Sequence, residues 1–370
     1  MFKGIDRWLP AYLMRRRACR PAEPLHVMLA VCDHFEPRHD ARDESEAEQR
    51  VRLWLKDYPE LQRRCREQGA PVPVHSFFYP VEQYREQLMT PLAELCRQSG
   101  SEIELHLHHD NDTRDSLRDL LLRGVDDLTK HQALGRDAGG RARYGFIHGN
   151  WALDNSDPRG INCGVSDELS LLRETGCYAD FTMPSAPHPT QTKTINSIYY
   201  ARCTPAAKSH DRGEAAAVGA TGLRERGDHL LLVQGPLGLN WRLRKRGIFP
   251  RIENGDLTEV NPPRQERFGL WHRLAIQVRG RADWCFVKLH THGGVPRNYG
   301  MLLGQPMLSF CEAMAGLLER DPLLRIHWVT ARQMVNLVHA AEDGAEGEPG
   351  PWLDHRYQPP PLHALRGAGR

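Results

Sequence analysis

Ser101–Asp112, SEIELHLHHDND, sets three histidines and an aspartate at the end of what reads as a short buried strand. With side chains alternating across a strand, His106, His108 and Asp110 fall on one face, and Leu105, Leu107 and His109 on the other. Histidines at strand ends are often plain surface residues. Two at alternate positions with a carboxylate form a ligand set, because borderline divalent metals take imidazole and carboxylate donors converging from one side. The period-two reading needs the strand to continue as far as Asp110.

Outward from this stretch, the chain alternates strands with helices. Leu25–Cys32, LHVMLAVC, is a nearly continuous apolar run of the kind a parallel strand covered on both faces requires, and it ends in Asp33-His34-Phe35-Glu36-Pro37. A helix with Val51, Leu53, Trp54, Leu55, Tyr58 and Leu61 follows and stops at Gly69. PVHSFFY is the next strand, and its helix ends at Gly100, with Pro91 expected to kink or split it. A helix over 113–134, the strand YGFIH at 144–148, a helix capped by Ser166 and a strand over 178–183 complete five strand-helix units, the rhythm of a parallel α/β sheet.

Residues 184–263 break the rhythm and read as an elaborated insertion, a long loop with one strand, HLLLVQGP. Regularity returns with a helix over 266–278, strands over 284–289 and 325–329, and helices over 306–319 and 331–344. The expected organisation is an N-terminal leader or helix over 1–24, one main domain over 25–344, and an extended or disordered tail over 345–370.

The chain has 370 residues and a formal charge of +2, so its bulk charge does not point to nucleic acid. A hydrophobic fraction of 40% with 26% charged residues is that of a soluble globular protein. Nine cysteines form no Cys-x-x-Cys pair, which argues for reduced thiols, no thiolate cluster and a cytoplasmic location. No run of about eighteen apolar residues suggests a membrane span. Trp8, Leu9, Tyr12, Leu13 and Met14, followed by Arg15, Arg16 and Arg17, suit a short amphipathic helix, packed on the domain or in peripheral contact with a membrane.

Abrupt apolar-to-polar transitions at strand ends occur four times: Asp33 with His34; His106, His108 and Asp110; His148, Asn150 and Trp151; and His290 with His292. In parallel α/β folds the C-terminal strand ends form the active face, so four such clusters converge on one pocket. The last, WCFVKLHTHGG, is the counterpart of the opening stretch.

The order of these motifs resembles that of the NodB-like polysaccharide deacetylases, from about Leu25 to Thr330. LAVCDHFEP stands where that family ends an apolar strand in an acidic pair, EIELHLHHD where it has its metal-binding histidine strand, FIHGNWALDNS at its pocket-forming motif, and FVKLHTHG at its general-acid histidine. The chain departs from the family in having no Asp-Asp pair, no His-x-x-x-His and no Arg-x-Pro-x-Gly. The resemblance implies an irregular (β/α)7-type barrel and a carbohydrate esterase acting on N-acetylated groups.

Amide hydrolysis needs an activated water, a Lewis acid for the carbonyl and a proton for the leaving nitrogen. The expected metal ligands are His34, His106, His108 and Asp110. Zn is the first choice, with Co, Ni, Fe or Mn as alternatives. Asp33 is the expected base, and His290 or His292 the acid. His148, Asn150 and Trp151 are the expected substrate-binding residues. The substrate would be an N-acetylated saccharide or sugar nucleotide used in surface polysaccharide assembly. A carbohydrate-binding protein without catalysis is the alternative, as is a metal-dependent phosphoesterase or other C–N hydrolase.

Overall fold

Every residue of β1, Leu25–His34, is buried, which is why its sequence is apolar on both faces. Odd-numbered Val27, Leu29 and Val31 pack into one hydrophobic cluster. Even-numbered Met28, Ala30 and Cys32 pack into another. The computed structural model describes residues 4–15 and 24–367.

The other strands, in chain order, are β2 (His75–Pro80), β3 (Glu102–Leu107), β4 (Gly135–Arg136), β5 (Ala142–His148), β6 (Cys177–Asp180), β7 (Ile198–Arg202), β8 (Glu214–Ala215), β9 (His229–Val233), β10 (Gly238–Lys245), β11 (Phe249–Glu253), β12 (Trp284–Thr291) and β13 (Leu324–Trp328). The main sheet runs β12-β1-β2-β3-β5-β6-β9-β7-β8, and it is parallel from β12 through β9. One edge of β1 takes β12 along eight paired positions. The other takes β13 over Leu25–Leu29 and then β2 over Val31–His34. The fold is therefore mixed α/β with a mostly parallel central sheet, and the hydrogen-bonded path among the described strands does not return from β8 to β12.

Helices Glu44–Glu67, Glu86–Ser99, Arg114–Lys130 and Gln305–Arg320 cover the odd face of β1 and its neighbours. In the first, Asp43 caps the Glu46 N–H, and the stripe Val51, Trp54, Tyr58, Leu61 and Cys65 is buried at the spacing of one helical face. The opposite face of the sheet is closed by the helix Ala331–Glu342, eleven of whose residues are buried. A Thr330/Gln333 capping box starts it.

Several expectations are corrected. Pro91 does not split its helix, which is continuous over Glu86–Ser99. Pro91 is its sixth residue, close enough to the N-terminus to remove few intrahelical bonds. Asp167, not Ser166, occupies the N-cap of Glu168–Glu174. The 184–263 segment is more than a loop with one strand, because β7 and β9 join the main sheet and β10 and β11 form a hairpin.

The tail is not extended or disordered as far as it is described. Buried Arg332 donates to the Leu353 and Tyr357 carbonyls, and Asn336 donates to the same two carbonyls while accepting from the Arg356 and Tyr357 N–H groups. Two internal side chains thus satisfy a backbone that looked unstructured.

The N-terminal helix Ile5–Met14 buries Trp8 and Tyr12 against Ala186, Leu237 and Leu274. Arg16 and Arg17 lie outside the described residues. The stretch Pro296–Arg320 is long and apolar enough by composition to cross a membrane. It is two helices meeting at Gly304, whose backbone is extended, and Met301, Leu302, Leu308 and Met314 are packed into the first cluster.

Candidate metal centre

The parity of β1 that packs Cys32 beneath the sheet continues to His34, and two residues on, past the strand end, to Glu36. β3 brings His106 to the same edge, and β12 leads to His290 and His292. The three imidazoles converge. Ring centroids of His34 lie 4.8 Å from those of both His106 and His292. Glu36 Oε1 is the common point: His106 Nε2 is 3.2 Å away, His108 Nε2 3.7 Å and His292 Nε2 4.0 Å. His34, Glu36 and His106 each offer a donor atom within 4.8 Å of the others.

These residues fit a divalent cation. His106 Nδ1 lies 2.9 Å from the Ile147 carbonyl, which holds a ring proton there, so that Nε2, when it carries no proton, turns its lone pair to a carboxylate oxygen. Two lone pairs facing each other at 3.2 Å need a proton or a cation between them. Ligands sharing one tetrahedral metal with bonds of 2.0–2.1 Å stand about 3.3 Å apart. His34 Nδ1 is buried with no partner. Burial, reinforced by the neighbouring His292 and His106, drives the His34 pKa well below its usual value, so the ring is neutral and able to ligate. Burial pushes Glu36 upward, but hydrogen bonding and attraction from His106, with His292 and His108 adding, outweigh it and hold the carboxyl at about 2. Two histidines and one carboxylate are a donor set for zinc or iron-group ions.

Asp33 belongs to the other face. Its Oδ1 accepts the Gly293 N–H at 2.6 Å, its side chain has no exposure, and its Oδ2 has no partner. Burial raises its pKa to about 8. Trp54 Nε1 donates to the Gly293 carbonyl at 2.9 Å, so Asp33 and Trp54 together clamp the residue next to His292. A Cβ on Gly293 would stand 2.1 Å from Asp33 Oδ2, which is why glycine is needed there.

His292 is the accessible member of the cluster, with its side chain 33% exposed. Burial lowers its pKa to about 4. His290 points deeper: it is buried, its Nδ1 lacks a partner, and burial, helped by Lys288, lowers its pKa well below the usual value. His108 is 27% exposed, and its Nδ1 meets Glu82 Oε1 at 2.8 Å. Burial would lower the pKa of His108, but the Glu82 hydrogen bond and the charges of Glu36 and Glu82 raise it overall.

The structure does not bring Asp110 to the cluster. β3 ends at Leu107, so alternation is lost before Asp110, which is exposed and accepts the Asn162 N–H at 2.6 Å. His148 is fully buried, with its ring centroid 4.6 Å from that of His109. It therefore lines no open pocket. Asn150 and Trp151 are half-buried beside it, and the Trp151 ring packs 5.7 Å from His188. Glu36, the carboxylate of the cluster, is not among the expected ligands. Its signal is the His34-x-Glu36 spacing, which puts both side chains on one face. Glu82 and His39 were not foreseen: His39 Nδ1 reaches Glu36 Oε2 at 3.5 Å from a loop without periodicity. A cavity of about 450 Å³, lined by Leu25, Arg242, Phe268, Arg273 and Leu324, lies at the opposite ends of β1 and β13 and takes no part in the cluster.

No family model matches the chain, and no curated protein matches it. Among solved structures, one described as a putative polysaccharide deacetylase from Mycobacterium smegmatis aligns with TM-score 0.46 and 14% identity over 90% of this chain and 98% of that one. Another is an alpha-mannosidase from Enterococcus faecalis V583, with TM-score 0.42 and 9% identity over 85% of this chain and 29% of that one.

Proposed function

We propose that the chain is a metal-dependent hydrolase of the carbohydrate N-deacetylase type, built on an irregular, opened (β/α)7-type barrel. One observation carries the reading: a single carboxylate oxygen, Glu36 Oε1, is ringed by three imidazole nitrogens at the C-terminal ends of parallel strands, where α/β enzymes place their chemistry. The order of LAVCDHFEP, EIELHLHHD, FIHGNWALDNS and FVKLHTHG supports the same class.

His34, Glu36 and His106 would hold the ion, with His108 and His292 at its rim. A divalent ion there would polarise an acyl carbonyl and bring water's pKa towards neutrality. The environments of the two rim histidines divide the proton work. His292, neutral through burial, accepts the proton from water, and His108, whose protonated form the Glu82 hydrogen bond favours, donates one to the leaving nitrogen. Asp33 acts through Gly293, holding His292 in place, in preference to the role of base expected from its place in the motif. The substrate would be an N-acetylated saccharide or sugar nucleotide of surface polysaccharide assembly. We place it in a reducing, cytoplasmic setting, because its nine cysteines form no Cys-x-x-Cys pair.

Release of acetate from a panel of N-acetylated saccharides and sugar nucleotides, with Zn, Co, Ni, Fe or Mn added, tests the proposal. Binding without release would favour a carbohydrate-binding protein, a reading that the full burial of Asp33 also favours. Turnover of a generic phosphoester alone would move the assignment to phosphoester hydrolysis.

A further inference from the structure

Behind the Glu36 cluster lies a second group of donors that the proposed reaction does not use. His109, two residues past β3, His148 at the end of β5, Cys163, and Glu168 at the start of its helix each present a ligand atom within 4.8 Å of the others. His109 is 6% exposed and the other three not at all. His109 Nε2 lies 3.3 Å from Glu168 Oε1, and Cys163 Sγ 3.5 Å from Glu168 Oε2. His109 Nδ1 meets Asp112 Oδ2 at 3.2 Å. That last contact keeps the proton on Nδ1 and turns the Nε2 lone pair inward, as the outer carboxylate does for zinc-bound imidazoles.

The surroundings are short of hydrogen-bond partners. His148 Nε2, Asp154 Oδ1, Asn155 Oδ1 and both ring nitrogens of His210 are buried with none. These residues belong together: the Asp154 N–H donates to Glu168 Oε2 at 2.6 Å, and Asp154 Oδ2 accepts from the N–H of Ser209, the neighbour of His210. Buried orphans are rare, and a concentration of them marks a missing ion or water.

We propose that His109, His148, Cys163 and Glu168 form a second metal site, closed and structural, that takes zinc. Four protein donors of mixed nitrogen, sulfur and oxygen type with no solvent access leave no open position, which separates a structural site from a catalytic one. Ligation removes the Cys163 thiol proton to solvent and leaves the thiolate on the ion. It also requires the Nδ1–H tautomer of His148, which gives up only the long 3.3 Å contact that Nδ1 accepts from the Asn150 N–H. The ion would fasten the ends of β3 and β5 to the loop over 149–167, the wall that carries Asn150 and Trp151.

The test is cobalt loading of the purified full chain. A thiolate-to-cobalt charge-transfer band in the near ultraviolet reports Cys163 alone at these sites, because the Glu36 cluster contains no thiol. The expected results are two metals per chain and a band that disappears, with one metal, in Cys163→Ser, while His106→Ala loses one metal and keeps the band. Should Cys163→Ser fail to fold, X-ray absorption of the zinc-loaded wild type decides, through a sulfur neighbour at about 2.3 Å. A cobalt-loaded wild type with no thiolate band, or zinc without a sulfur neighbour, overturns the proposal. Neither measurement depends on acetate release, so it stands or falls apart from the deacetylase reading.

Discussion

Asp33 Oδ1 accepts the Gly293 N–H at 2.6 Å, and this bond ties the end of β1 to the turn that presents His292. The aspartate lies on the face of the strand opposite the His34–Glu36–His106 cluster and exposes nothing to solvent. The bond needs an acceptor oxygen, which asparagine also has. Asp33→Asn is therefore expected to retain kcat/KM within about tenfold and to bind metal normally, whereas Asp33→Ala leaves Gly293 N–H unpaired and loses more, since a lost buried hydrogen bond costs about 1–3 kcal/mol. Steady-state acetate release by the two variants distinguishes the roles. A loss in Asp33→Asn of the order of a thousandfold, with metal retained, would mean that the carboxylate takes a proton in the reaction.

Arg332 and Glu102 form a buried pair at 2.7 Å, and Arg332 also reaches Asp354 and the Tyr357 carbonyl. Removing the cation strands a buried carboxylate, at a cost on the order of 3–5 kcal/mol. Arg332→Met is expected to lower the denaturant midpoint accordingly and to open residues 345–367 to limited proteolysis. A stable variant with a protected tail would show that Asn336 holds the segment by itself.

Glu253 and Arg267 form a second buried pair, 2.7 Å apart, with Trp271 Nε1 and the Gly255 N–H also donating to the carboxylate. Burial raises the Glu253 pKa, but the Arg267 hydrogen bond and charge hold it below the usual value. A carboxyl lowered on folding stabilises the fold above its unfolded pKa and loses that contribution as the pH falls through its folded value. Denaturation of the wild type should thus show a loss of stability below about pH 4.3 that is smaller in Glu253→Gln, although that variant is less stable at neutral pH. Parallel pH profiles for the two proteins would remove Glu253 from the acid limb.

Much of this arrangement is legible in the sequence because β1, β3 and β12 are continuous buried runs whose ends announce themselves. His34 and His106 follow from period two and are brought together by β1 and β3, which flank β2 in the sheet. What the sequence hides has three physical sources. β3 stops at Leu107, so Asp110 leaves the register and His109 turns into a separate buried group. Glu36 lies beyond the strand end, where only the His34-x-Glu36 spacing marks it. The strands of the 184–263 segment and the tail are stabilised by distant partners, β9 against β7, and Arg332 and Asn336 against 353–357, which local pattern does not record.

Glu36, with His34 and His106, is proposed to hold the catalytic divalent ion. Metal content and acetate release measured together on wild type and Glu36→Gln test it most directly. Gln keeps the size of the side chain and removes the charge that three imidazoles surround. Glu36→Gln is expected to lose one metal per chain and all but background turnover while its unfolding transition stays cooperative. A Glu36→Gln protein that keeps its full metal complement and deacetylates at the wild-type rate would contradict it.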